Sequence, residues 1–111
     1  MDKALKAKWL EALRSGRYKQ GRRRLRNCKD EFCCLGVLCD ISGQGQWRQG
    51  DYSSNYCYYK EEESNSYGLP SFMVNVDGAR RAGGELVGLN DIDQLSFPRI
   101  ANWIEKNIKA E

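Results

Sequence analysis

Four arginines in five positions, Arg22, Arg23, Arg24 and Arg26, follow Gly21 and make the densest chemistry in this chain of 111 residues. A guanidinium presents forked donors that match phosphate or carboxylate oxygens two at a time. Together with Arg14, Arg17, Lys19 and Lys29 they make the N-terminal third strongly basic, although the net charge is only +3. So small a total excludes a highly basic, nonspecific nucleic-acid binder, whereas the asymmetry points to an anionic partner for this third. Aromatic rings are the second resource. Tyr18, Trp47, Tyr52, Tyr56, Tyr58, Tyr59 and Tyr67 offer faces on which a base can stack, and a stacked base with arginine-held phosphates is a common way to hold a nucleotide. About half of these rings must instead fill the core of so small a domain, and the arginines have their own bland reading as a solvated strand that discourages edge pairing. Asn90 and Asp91 either cap the loop before the last helix or hydrogen-bond sugar hydroxyls.

Other chemistries are closed off by what is missing. There is no histidine, so Cys-His and Ser-His nucleophiles, a histidine base and histidine metal ligands are excluded within the chain. The five cysteines, Cys28, Cys33, Cys34, Cys39 and Cys57, lack the two-residue spacing of zinc knuckles, and their odd number argues against a disulfide framework. Free, mostly buried thiols are the expectation. Asp91 and Asp93, with Asp77 or Glu85, lack the glycine and terminal glutamate of a calcium loop, and the scattered glycines form no phosphate loop or dinucleotide fingerprint. No cofactor and no resident metal are expected, and a metal-dependent phosphodiesterase is the last-ranked reading.

The elements that position these residues follow from periodicity. Leu5, Trp9, Ala12 and Leu13 recur at helical spacing after Asp2 and before Gly16, which predicts a helix over residues 3–15. Residues 17–27 suit a turn and an exposed strand, with Arg22, Arg24 and Arg26 on one side and Arg23 with Leu25 on the other. The run Phe32-Cys33-Cys34-Leu35-Gly36-Val37-Leu38-Cys39-Asp40-Ile41 is short enough to be a buried strand or helix. The face made by Leu35, Leu38 and Ile41 favours a helix stopping at Gly43, and Gly36 allows another backbone to come close. Trp47 and Tyr52 are expected on the two arms of a hairpin turning at Gln49-Gly50-Asp51, and Glu61, Glu62 and Glu63 in a solvated loop. Pro70 opens a short helix that Asp77-Gly78 stops; residues 80–84 read as a basic loop and 85–89 as a short strand. Ser96, Pro98 and the stripe Phe97, Ile100, Ala101, Ile104 and Ile108 predict a last helix over residues 97–109.

These elements make a single α+β domain over residues 1–111, with helices packed on a small antiparallel sheet built from residues 17–33 and the tyrosine-rich middle. With 41% hydrophobic residues the chain has the composition of a globular protein. Its longest apolar run falls far short of the roughly 20 residues of a membrane span, and the charged start Met1-Asp2-Lys3-Ala4-Leu5 lacks a signal-peptide core, so a cytoplasmic protein is expected. A homo-oligomer would enlarge a core of this size.

Three blocks carry a resemblance. They are residues 9–21, with Trp9, Leu13, Gly16, Tyr18 and Gly21; the run from Phe32 to Asp40; and Leu89-Asn90-Asp91 followed by Ser96-Phe97-Pro98-Arg99-Ile100-Ala101. In order and spacing they resemble a family of small uncharacterised proteins encoded by tailed bacteriophages and prophages, while residues 44–85 look particular to this chain. The resemblance implies a phage accessory protein acting in the bacterial cytoplasm; such proteins commonly modify the host or block its defences, some by sequestering nucleotide signals. The expected function is therefore binding and sequestration of a small anionic, nucleotide-derived immune signal, with Arg22, Arg24 and Arg26 on phosphates, Tyr18, Trp47 or Tyr52 on the base and Asn90 or Asp91 on the sugar. Inhibition of a host or defence enzyme through the same arginine face is the alternative, and nucleic-acid binding a further one.

Overall fold

The computed structural model describes residues 1–50 and 55–111. Helix α1 (Lys3–Arg14) starts where the Asp2 carboxylate accepts the Leu5 N–H at 2.9 Å, and it buries Trp9, Ala12 and Leu13 on one stripe. Gly16, at φ +78°, turns the chain away in a conformation that side chains disfavour. The central stretch is a helix, α2 (Cys34–Ser42), with Cys33 at its N-cap and Gly43 at φ +65° ending it. Cys34, Leu35, Gly36, Val37, Leu38 and Cys39 are all buried. A helix covered on every side needs no polar face, which is why its apolar run is unbroken. Trp9 Nε1 donates to the Cys34 carbonyl at 2.9 Å and ties α1 to the start of α2.

Three short strands, β1 (Gln46–Gln49), β2 (Tyr56–Lys60) and β3 (Glu63–Asn65), make an antiparallel meander in which Trp47 faces Tyr58 and Tyr58 faces Asn65. Tyr58 is buried, and its hydroxyl accepts the Gly45 N–H at 2.6 Å and lies 3.4 Å from Ser42 Oγ at the end of α2. Helices α3 (Asp77–Arg81) and α4 (Gly83–Val87) run into a π-helical turn (Gly88–Ile92), and α5 (Phe97–Asn107) buries Phe97, Ile100, Ala101 and Ile104. Helix α1 lies against both α2 and α5, and α4 against α2. The result is an α+β domain with α2 at its centre. No helix among the described residues is long and apolar enough to cross a membrane.

Several expectations are corrected. Residues 17–27 contribute no strand, only single bridges from Gln20 and Arg26 to Phe32, because Arg23 takes a left-handed φ of +70° and breaks the extended run. The sheet therefore comes from the middle of the chain alone. Its second strand starts at Tyr56, and Tyr52 lies outside the described residues. Glu63 begins β3 rather than ending a loop.

The segment after Pro70 is not helical. Asn75 sits at φ +62°, and the Arg80 guanidinium satisfies the carbonyls of Leu69, Pro70 and Met73 at 3.0 to 3.2 Å, so no helical ladder is needed there. Asp77 opens a helix instead of stopping one, and residues 80–89 are helical where a loop and a strand were expected. Burial of Ala79, Leu86 and Asn90 on one side holds them so despite three glycines.

Candidate anion-binding site

The arginine segment is an irregular loop whose backbone is held at Gly21, Arg23, Leu25 and Arg26. Gly21 N–H donates to the Phe32 carbonyl at 2.8 Å, Arg23 N–H to Asp91 Oδ1 at 3.0 Å and Leu25 N–H to the Ser66 carbonyl at 2.8 Å. The Leu25 carbonyl accepts the Cys33 N–H at 3.2 Å, and the Arg26 carbonyl accepts the Tyr56 N–H at 3.0 Å. Leu25 is fully buried and plugs the loop into the core over α2. Gly36 makes this fit possible: a Cβ there would lie 2.6 Å from the Leu25 carbonyl carbon and 3.1 Å from its Cα, and closer still to the oxygen. The close backbone approach expected of that glycine is therefore present, and its partner is the arginine loop.

The arginine side chains divide into two sets. Arg22 and Arg23 are exposed, and neither guanidinium enters an ion pair or hydrogen bond among the described residues. Arg24 places Cζ 4.2 Å from the centroid of the Tyr67 ring, itself 60% exposed. That cation–π contact orients the guanidinium without neutralising it. Arg26 is different. It pairs with Asp30 at 2.5 Å and lies over Tyr56 at 3.9 Å, with Phe32 and Trp47 at 5.2 and 5.6 Å. Its charge is already matched, so Arg26 holds the loop and the sheet together while Arg22, Arg23 and Arg24 present unpaired charge.

Tyr18 and Trp47 come together away from those three. Tyr18 OH donates to Asp40 Oδ2 at 2.5 Å and Trp47 Nε1 donates to Asp40 Oδ1 at 3.0 Å. Burial, and then the hydrogen bond to Asp40, push the Tyr18 phenol well above its ordinary pKa, so it stays protonated and keeps donating. The rings interlock edge to face, Tyr18 with Phe32 at 5.1 Å and Phe32 with Trp47 at 5.9 Å, and Trp47 packs on Tyr58 at 4.8 Å. This aromatic set is a joint between sheet and α2.

Asn90 is fully buried beneath the arginine loop. Its amide donates to the Gly21 carbonyl at 2.9 Å and to Asp91 Oδ1 at 2.8 Å, while its oxygen accepts from Gln20 Nε2 at 3.0 Å and Cys34 N–H at 3.3 Å. Asn90 and Asp91 thus shape the loop from below, where the sequence pointed to sugar hydroxyls. The structure brings Arg22, Arg24, Asn90 and Asp91 to one place and Tyr18, Arg26 and Trp47 to another. Arg23 and Tyr67, named among the arginines and the rings, were left out of the expected ligand set; Arg23 had been assigned to the opposite strand face, and Tyr67 was one ring among several with no signal to single it out.

The cysteines take no part in this site. Cys33, Cys34 and Cys39 are buried, Cys57 is half-buried and Cys28 is exposed, all as free thiols. Burial pushes the Cys33 thiol up to about 11 and Cys34 and Cys39 well above the ordinary range. Among the described residues no three cysteine, aspartate or glutamate side chains are grouped so as to hold a metal ion.

No curated protein and no solved structure matches the chain. One family model does match, over residues 1–75, which contain α1, the arginine loop, α2 and the whole sheet. The matched region takes in residues 44–75, which the sequence reading held to be particular to this chain, and stops before Asn90 and Asp91. On that match, the chain belongs to the family described as Domain of unknown function (DUF8296).

Proposed function

We propose that this protein is a non-catalytic binder that captures a small anionic ligand of nucleotide type on the arginine loop. In this reading it serves as a phage accessory factor that withdraws an immune signal from the host. The observation that carries the proposal is the contrast between backbone and side chains in the loop. The backbone is pinned by hydrogen bonds to Phe32, Ser66, Tyr56 and Asp91, while Arg22 and Arg23 carry unmatched charge and Arg24 is oriented on Tyr67. A loop ordered before binding loses little entropy when it binds, and charge-assisted hydrogen bonds from arginine to phosphate are among the strong ones. The resemblance to phage proteins supplies the biological setting.

Native mass spectrometry of protein purified from expressing cells tests this directly. A retained small-molecule mass, recovered unaltered after denaturation, supports capture without turnover; recovery of altered products points to an enzyme. R24E should remove the retained mass. The same spectrum reads the oligomeric state, for which a homo-oligomer is the proposal. A second reading, docking on an acidic surface of a host or defence enzyme, is favoured by the exposure of Arg22 and Arg23. A stoichiometric protein partner that R24E abolishes, with no small ligand retained, would decide for it.

A further inference from the structure

An open groove of about 350 Å³ lies between α2, the Gly68 to Leu69 segment and α4. Its lining is apolar at Leu35, Leu69 and Val87, without side chains at Gly68, Gly83 and Gly84, and charged at Arg80. Its size falls at the lower end of the range for small-ligand sites. Three consecutive residues of the arginine loop border the elements that build it. Arg23 N–H is held by Asp91, one turn beyond Val87 on the same helical run. Arg24 lies over Tyr67, next in the chain to Gly68. Leu25 seats against Gly36, next in the chain to Leu35. The loop that presents unpaired positive charge is therefore anchored on residues next in the chain, or one turn on, from those that line the groove.

The groove's charge matches the same kind of partner. Among the described residues no carboxylate lines it, and the one charged residue in its lining, Arg80, has its donors turned to backbone carbonyls with no carboxylate in an ion pair with it. The glycines add an independent mark. Cβ atoms built at Gly68, Gly83 and Gly84 meet nothing within 4 Å, and none of the three has a left-handed φ. The fold does not need glycine there, and two of the three sit in α4, where glycine weakens a helix. What their missing side chains preserve is the open space.

We infer that this groove takes the planar heteroaromatic ring of a nucleotide-type ligand whose phosphates lie on Arg22, Arg23 and Arg24. The inference rests on the arginine-loop reading and names the part of the site that reads the rest of the ligand. Leu35, Leu69 and Val87 sandwich the ring by apolar contact, and Tyr67 stands at the junction of ring and phosphates.

Calorimetry with inorganic tripolyphosphate and with ATP, GTP, CTP and UTP separates the two claims, together with amide NMR spectra of each mixture. At least one nucleotide should bind about tenfold or more tightly than tripolyphosphate and shift the Gly68, Gly83 and Gly84 amides. G84L fills the groove at a position with free space, and V87W, equally uncharged, crowds its wall; each should erase that advantage and leave tripolyphosphate binding as it was. If all five probes bind alike, moving only the arginine-loop amides, the groove inference falls and the arginine reading stands. If none binds, both fall. Melting of both variants no lower than that of the parent shows that a lost advantage is not a lost fold.

Discussion

Replacing Gly36 by alanine tests whether the arginine loop is as firmly seated as its hydrogen bonds imply. The added methyl would stand 2.6 Å from the Leu25 carbonyl carbon and 3.1 Å from its Cα, both backbone atoms that no rotamer change can move. Either α2 or the loop must shift. Overpacking of this kind costs about 1 to 3 kcal/mol. The shift also strains the Cys33 N–H bond to the Leu25 carbonyl, a loss of about 1 kcal/mol. Against these, alanine gains at most about 1 kcal/mol of helix propensity, less in a first turn. The net expectation is a destabilisation of roughly 1 to 3 kcal/mol, which for a domain of this size lowers Tm by about 4 to 13 °C. G84A is the matched control, since its methyl meets nothing within 4 Å, and it should gain about 0.5 to 1 kcal/mol. Urea and thermal unfolding followed by tryptophan fluorescence measure both. If G36A proves as stable as the parent, the loop can lift from α2 at no cost, and the preorganisation argued for the anion site is refuted.

Three further expectations follow from the interior. N90A leaves the Gly21 carbonyl and the Cys34 N–H without their side-chain partner in a buried setting, at about 1 to 3 kcal/mol for each, and should lower the urea midpoint more than any alanine replacement of an arginine in the loop. Iodoacetamide at pH 8, read by peptide mass spectrometry, should modify Cys28 in the folded protein and reach Cys33, Cys34 and Cys39 only in denaturant; fast folded-state labelling of Cys34 would contradict the packing described. Because burial raises the Cys33 thiol to about 11 from an ordinary 9, the folded chain keeps a proton that the unfolded chain releases between those values. Stability is therefore full below pH 9 and falls as pH rises toward 11, by about 1.4 kcal/mol per pH unit for each such thiol, and urea midpoints at pH 8, 9.5 and 10.5 should descend accordingly.

How much of this was legible in the residues depended on whether a single element or several segments held the information. Helix α1 announces itself through Asp2, the stripe of Trp9, Ala12 and Leu13, and Gly16; α5 does so through Pro98 and its isoleucines. The central helix was readable because Gly43 and the Leu35, Leu38, Ile41 face outweighed its unbroken apolarity. Residues 77–92 defeated local reading, since Gly78, Gly83, Gly84 and Gly88 signal a loop while burial of Ala79, Leu86 and Asn90 by distant residues makes a helix. The arginines declared their chemistry by type alone, but not their geometry: the left-handed turn at Arg23 puts it among the presented charges rather than behind a strand. Tyr67 joins them only because Ser66 binds Leu25, a contact between segments forty residues apart.

The packing of α1 on α5 has a consequence for the order in which the molecule can be made. Arg14 reaches Asn102 and Glu105, and Lys6 reaches the Glu105 carbonyl, so the first helix is closed by residues about ninety positions later. Such distant contacts form late, because the intervening chain must give up its freedom before they repay it. During synthesis the first helix leaves the ribosome long before its cover exists. Residues 1–75, the stretch that defines the family match, thus emerge with an uncovered greasy seam, and completion waits for the last helix to clear the exit tunnel.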